Sequence, residues 1–399
     1  LFNTKNNHVM KYNFDKITDR RNSGSYKWDT PERDNLLPMW VADMDFPTAP
    51  AVINALRKRV EHGVFGYTHV PEEYYRSVID WFHNRHSWES DRSWFIYTSG
   101  VVPAISAIIK ALTEPGDKVI IQTPVYNCFF SSIRNNGCIP AHNPLIYTGD
   151  RYEIDFDGLE AAASDPKAKI MLLCNPHNPG GRVWTSGELN RIAEICLRNN
   201  VYIVSDEIHC ELTYTDSGYT PYGTLPEPFR SNASVCISPS KAFNIAGLQI
   251  ANIITPDPAV RRRIDRTINI NEVCDVNPFG IAATIAAYSH GSDWLMQLVE
   301  YLHGNYTAIR YFIAKEMPSL KVMLLESTYL AWIDIRATGM TSEAFTDMLL
   351  QHTGLMVNPG TMYGPDGEGF IRLNFACPRS MVIDAMHRLK TVLNMHFEV

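Results

Sequence analysis

The sequence predicts an α/β protein: a large domain with a mostly parallel sheet flanked by helices, joined to a smaller α/β domain. Three observations lead there. Short apolar runs, many of them β-branched, recur from about residue 94 onward. Helical patterns separate several of these runs, which is the signature of strand–helix–strand units and hence of parallel strands. At 399 residues, the chain is also too long for one ordinary core.

In chain order, the expected buried strands are "WFIYTSG", "KVIIQTPVY", "KIMLLCNPHNP", "VYIVSDEIH" and "SVCISPSK". The first is followed by "VVPAISAIIKALTEPGD", with apolar residues at helical spacing and a Pro-Gly stop. Before the fourth lies "TSGELNRIAEICLRNN". There Thr185 and Glu188 form a capping-box pattern, and Leu189, Ile192, Ala193 and Cys196 share one face. A long helical stretch from "NPFGIAAT" to "KEMPSL" then reads as a connector. After it, "YLAWIDI", "GLMVNPG" and "FIRLNFA" are expected strands, and "SMVIDAMHRLKTVL" is a closing helix. This divides the chain into residues 10–60 as the first part of the small domain, 61–289 as the large domain and 290–399 as the rest of the small one.

Composition narrows the function. With 45% hydrophobic and 20% charged residues and no fixed-period repeat, this is an ordinary globular chain. A net charge of -7 argues against nucleic acid or an anionic membrane surface as the main partner. The longest apolar runs are strand-sized, far short of a membrane span. Eight cysteines occur without a CxxC pair, several inside apolar runs, as expected of small core residues in a reducing cytoplasm. The amino terminus has no signal-peptide pattern, and Met10 is the expected native start.

In an open parallel sheet, ligands collect outside the carboxyl ends of the strands. Those exits deliver Ser99, Gly100 and Val101 at a helix start, then Tyr126, Asn178, Asp206 and Lys241. Each has an ordinary alternative. Lys241 could be a solvated cation, Tyr126 core packing and Asn178 a turn residue. Asp206 could cap a helix or join Glu207, His209 and Glu211 around a metal ion. Together they match what pyridoxal phosphate needs: a lysine for a Schiff base, a carboxylate for the ring nitrogen, a donor to the phenolic oxygen, an aromatic face and a phosphate cradle. Lysine suits the first role because burial can leave it a nucleophilic amine.

The ordered set "TPVY", "NPHNPGGRVW", "SDEIH", "SPSKAFNIAG" and "RLNFACPR" resembles the aminotransferase-type pyridoxal phosphate enzymes of fold type I. More narrowly, "LPMWVADMDFPTAP", "GVFGYTH" and "STYLAWIDIR" are similar to the cystathionine β-lyase branch that includes the MalY/PatB proteins and cystalysin. The resemblance implies a homodimer with the active site at the subunit interface. It makes Lys241 the Schiff-base lysine, Asp206 the pyridinium partner and Asn178 the phenolic-oxygen donor, with Tyr126 stacked on the ring. It gives Arg372 the substrate α-carboxylate, and assigns Ser99, Gly100, Val101, Ser238 and Ser240 to the cofactor and its phosphate. Tyr67 would reach the phosphate of the neighbouring subunit.

Two positions depart from the wider aminotransferase pattern. His209 replaces a tyrosine near the phenolic oxygen, and Gln249 replaces a phosphate-binding arginine. Relative to cystalysin, Asn127 replaces a second tyrosine. The implied reaction is α,β-elimination from an S-substituted L-cysteine, giving a thiol, pyruvate and ammonia, with Lys241 as general base. A true aminotransferase shares all these residues. A regulatory protein that modulates a transcription activator is the second competitor. A nicotinamide dehydrogenase lacks support, because no GxGxxG opens a helix after the first strand.

Overall fold

The computed structural model describes residues 11–30, 33, 35–214, 218–270 and 276–397. Met10 and the residues before it lie outside that range. A seven-stranded sheet forms the centre: β1 (Phe95–Thr98), β2 (Lys118–Ile121), β3 (Ile139–His142), β4 (Ala168–Cys174), β5 (Tyr202–Asp206), β6 (Ala233–Ile237) and β7 (Ala251–Ile254). The spatial order is β1-β7-β6-β5-β4-β2-β3.

The β2–β3, β2–β4, β4–β5 and β5–β6 pairs are parallel, whereas β7 runs antiparallel to both its neighbours, β1 and β6. That reversed strand is missing from the sequence reading, and its cause is local. The chain leaving β6 turns straight back through residues 238–250 instead of crossing over by a helix, and an antiparallel partner needs only such a short return. Lys241 therefore sits on a tight return loop. The other six strands point one way and end on one side.

Both faces of the sheet are covered. Along β4, Ile170, Leu172 and Cys174 face one core and Met171 and Leu173 the other, the period-2 alternation of a doubly packed strand. Ala104, Ile105, Ile108 and Ile109 of the helix Val101–Leu112 cover the first face. Leu189, Ile192, Ala193 and Cys196 of the helix Ser186–Arg198 cover the second, and its capping box is complete. A 25-residue helix, Ser292–Glu316, leads into a four-stranded sheet of β8 (Lys321–Val322), β9 (Leu330–Asp334), β10 (Asn358–Pro359) and β11 (Phe370–Asn374). Its spatial order is β8-β9-β11-β10. The expected strand "GLMVNPG" is divided. Leu355–Met356 pairs in parallel with Leu37–Pro38, and Asn358–Pro359 pairs with β11. The break at Val357 lets one segment join two sheets.

That first pairing anchors the amino-terminal segment over the end of the large sheet. A buried charge cluster then holds it: Lys27 Nζ lies 2.7 Å from Asp45 and 3.7 Å from Asp43, and Arg20 pairs with both carboxylates. Trp28 Nε1 donates to Asp45 at 2.8 Å. Asn374 of β11 donates to the carbonyls of Val41 and Asp43 at 2.5 and 2.6 Å. The stretch from Trp40 to Asp43 is thereby fixed from both sides. Asp45→Asn should lower stability by about 3 kcal/mol, the scale for leaving a buried cation without its partner, read as a drop in the urea midpoint.

Candidate active site

The strand exits converge on a cavity of about 280 Å³. Ser99, Gly100 and Val101 follow β1 and line it at the start of the helix Val101–Leu112. Gly100 offers no capping side chain, so the first amides of that helix are free for an anion. Tyr126 after β2, Asn178 after β4, Asp206 at the end of β5, His209 three residues on, and Ser240 and Lys241 after β6 line the same space. Arg372 arrives from β11, and Val41 and Ala42 from the amino-terminal segment.

Two sequence-derived candidates lie elsewhere. Ser238 is absent from the cavity wall: its hydroxyl donates to Ile250 O at 2.6 Å and accepts from Ser240 N at 3.1 Å, so it braces the return loop. Tyr67 is 98% exposed and does not reach this cavity within one chain. The three acids and one histidine weighed as a metal cluster are dispersed. Glu207 is bound by Ser205, Asn175, Tyr219 and the amide of Tyr222. Glu211 is bound by Trp81, Arg85 and His86. Among the described residues no group of three such side chains could hold a metal ion.

Lys241 reaches the cavity surface yet is enclosed by protein. Its Nζ donates to Ala42 O at 2.6 Å. Enclosure pushes its pKa down to about 8; Arg372 adds to that, while Asp43 and Asp206 oppose it. Burial raises Asp206 to about 7, against the pull of the Ile208 amide at 3.1 Å and of Lys241. Burial lowers His209 to about 3, helped by Lys241 and Arg372, so its ring is neutral. Tyr126 is also pushed far up by burial, which keeps its phenol protonated.

Arg372 donates to Asn178 Oδ1 at 3.2 Å and to Trp40 O at 2.9 Å, and its guanidinium lies 4.6 Å from the Tyr363 ring centre. Its Nε, like Nδ1 of His209, is buried and has no partner among the described residues. Groups of this kind await something. Pyridoxal phosphate fits them. Asp206 is a buried carboxylate with room for a cationic ring nitrogen, the helix start at Val101 suits a phosphate, and Lys241 is an amine poised near neutrality.

Sequence reasoning missed Val41, Ala42, Cys174 and Ile208 as parts of this wall, and Trp40 as the residue whose carbonyl holds Arg372. Ala42 and Trp40 act through main-chain carbonyls, and no side-chain pattern announces that. Gln249, noted only as a departure, lines the cavity with a left-handed backbone at φ 50°. Such a conformation is uncommon outside glycine, and it marks the turn that carries the return loop.

The described residues predict a pH response of the cofactor-free chain. The raised pKa values of Asp206 and Glu207, about 7 and about 8, stabilise the fold fully below the unfolded carboxyl range, and this is lost as pH rises through them. The lowered values of His209 and His177, about 3 and about 4, act the other way, complete above about pH 6.5 and lost as pH falls. Between about pH 6.5 and 8 the carboxyls therefore dominate, and Tm should fall. Asp206→Asn should flatten that decline; a Tm that rises across the window would contradict it.

A family model of aminotransferases of class I and II matches residues 35–389. Cystathionine β-lyase PatB of Bacillus subtilis (strain 168) is 40% identical over 386 residues, covering 96% of this chain and 100% of that protein. Protein MalY of Escherichia coli (strain K12) is 34% identical over 375 residues, covering 92% and 95%. The crystal structure of cystalysin from Treponema denticola, which contains pyridoxal 5'-phosphate, superposes with a TM-score of 0.94 at 35% identity, covering 97% of this chain and 100% of that one.

Proposed function

The chain belongs to the class I and II aminotransferase family, and we propose that it is a pyridoxal-phosphate-dependent carbon–sulfur lyase that cleaves L-cystathionine or another S-substituted L-cysteine. One observation carries the reading. A lysine amine whose pKa is lowered to about 8 and a buried arginine with an unpaired edge share one cavity, on a chain alike over 96% of its length to a cystathionine β-lyase.

Bound pyridoxal phosphate supplies an electron sink that makes the Cα–H of an attached amino acid acidic. The residues of the chain do the rest. Arg372 takes the substrate α-carboxylate in a two-point pair that a lysine could not reproduce. Its own contacts to Asn178 and Trp40 O fix its plane before substrate arrives. Asp206 keeps a proton on the ring nitrogen, and a cation there offsets the burial that otherwise raises its pKa. Lys241, neutral enough to accept a proton near pH 8, removes it from Cα. The same ammonium then protonates the sulfur leaving Cβ. The bond from Cβ to sulfur breaks, the thiol departs, and hydrolysis of the remaining fragment gives pyruvate and ammonia.

The finer organisation belongs to the same proposal. Residues 10–60 and 290–399 are read as one small domain beside 61–289, supported by the pairing of Leu37–Pro38 with Leu355–Met356. The exposed Val64, Phe65 and Tyr67 are read as a contact to a second copy, with Tyr67 serving that copy's phosphate. Among the described residues no helix is long and apolar enough to cross a membrane; a cytoplasmic homodimer is the reading in line with this.

Purified protein given L-cystathionine and pyridoxal phosphate without a keto acid should release pyruvate. Turnover that appears only when 2-oxoglutarate is added would point to an aminotransferase. Lys241→Ala should abolish pyruvate release while leaving the far-ultraviolet circular dichroism intact. Arg372→Ala should raise KM by about thirtyfold or more, the lower end for breaking a desolvated charge pair. An unchanged KM would assign the carboxylate to another group.

A further inference from the structure

Thr328 is a β-branched residue with φ 71°, a backbone region such side chains rarely enter. It is fully buried and held by three bonds: its amide donates to Leu212 O at 2.7 Å, its carbonyl accepts from Tyr214 at 2.6 Å, and its hydroxyl accepts from Leu330 N at 3.3 Å. Strain of this kind persists where the surroundings over-determine it, and it clusters where a side chain must be aimed. The next residue is Tyr329, fully buried at the entry to β9. Its hydroxyl donates to Ala42 O at 2.9 Å, the same oxygen that receives Lys241 Nζ at 2.6 Å.

We propose that Tyr329 is a positioning residue for Lys241, acting through the Ala42 carbonyl that the two side chains share. The proposal rests on the reading of Lys241 as the reactive amine. Lysine has a long flexible stem, and a fixed acceptor is what limits its rotamers. A carbonyl oxygen has two lone pairs, so it accommodates both donors. Whenever the lysine nitrogen is engaged elsewhere, the tyrosine keeps this buried carbonyl satisfied and aimed, ready for the amine's return. The second donor also draws on the charge of that oxygen, which leaves less of it to stabilise an ammonium. Other groups facing the amine are Asp43, Asp206, Arg372, the Cys128 thiol and the neutral His209 ring. Asp43 and Arg372 also face Tyr329. All of them are retained when only the hydroxyl is removed.

The test is Tyr329→Phe in the full chain. Cofactor-free protein is labelled with trace acetic anhydride across a pH series, and acetylation at Lys241 is read by peptide mass mapping. The half-point should move up by about half a unit. In the loaded enzyme, pyruvate release from L-cystathionine should show kcat lowered by about tenfold with KM changed less than about twofold, since Arg372 is untouched. Thr328→Gly, which keeps the Tyr329 hydroxyl and suits a left-handed backbone, should leave the labelling profile unchanged. A Tyr329→Phe profile that superimposes on the parent's would overturn the proposal. So would an equal shift in Thr328→Gly, which would assign the effect to the loop, or a Tyr329→Phe protein that fails to fold. Absence of lyase turnover in the parent would strike the proposed function alone, because the labelling is read without cofactor or substrate.

Discussion

A single hydrogen bond, from Lys241 Nζ to the carbonyl of Ala42, joins positions 199 residues apart in the cavity wall. One partner rides on the return loop between β6 and β7, the other on an amino-terminal segment laid over the ends of the strands. Neither has a fixed place without the rest of the fold. The return loop is set by the reversal of β7 and by Ser238, which ties the loop to Ile250. The amino-terminal segment is set by Lys27, Asp43 and Asp45 on one side and by Asn374 on the other. Charge buried away from the chemistry thus decides where an uncharged carbonyl stands.

The second constraint is desolvation. Enclosure disfavours every charge in the cavity, and it acts in opposite directions on acids and bases. It raises Asp206 and lowers Lys241 and His209, so that an acid, an amine and an imidazole all stand closer to neutrality than they would in water. Arg372, a guanidinium, is the residue given neutral oxygen partners and an aromatic face. The cavity therefore holds one permanent cation and several groups whose charge a bound cofactor or substrate can set. Such an arrangement leaves places for partners supplied from outside.

Much of this could be read from the sequence, for a physical reason. Buried strands must be apolar, and their exits on one side of a parallel sheet must carry whatever chemistry the protein performs. Residues separated by 20 to 60 positions, such as Tyr126, Asn178, Asp206 and Lys241, could therefore be assigned to one place before any coordinates. The capping box at Thr185 and Glu188 is equally local, because both partners lie within one helical turn.

What the tertiary structure alone decided is everything that depends on backbone or on distant pairing. Ala42 contributes a carbonyl, which its methyl side chain does not advertise. The reversal of β7, the division of "GLMVNPG" between two sheets and the strained turn at Thr328 each depend on partners far along the chain. Ser238 shows the same limit in reverse: its sequence position suggests the cavity, but its hydroxyl is spent on Ile250. Sequence determined which residue types reach the end of each strand, because burial and alternation act residue by residue. Only the folded chain decided which of their atoms remain free, because that depends on which neighbours claim them first.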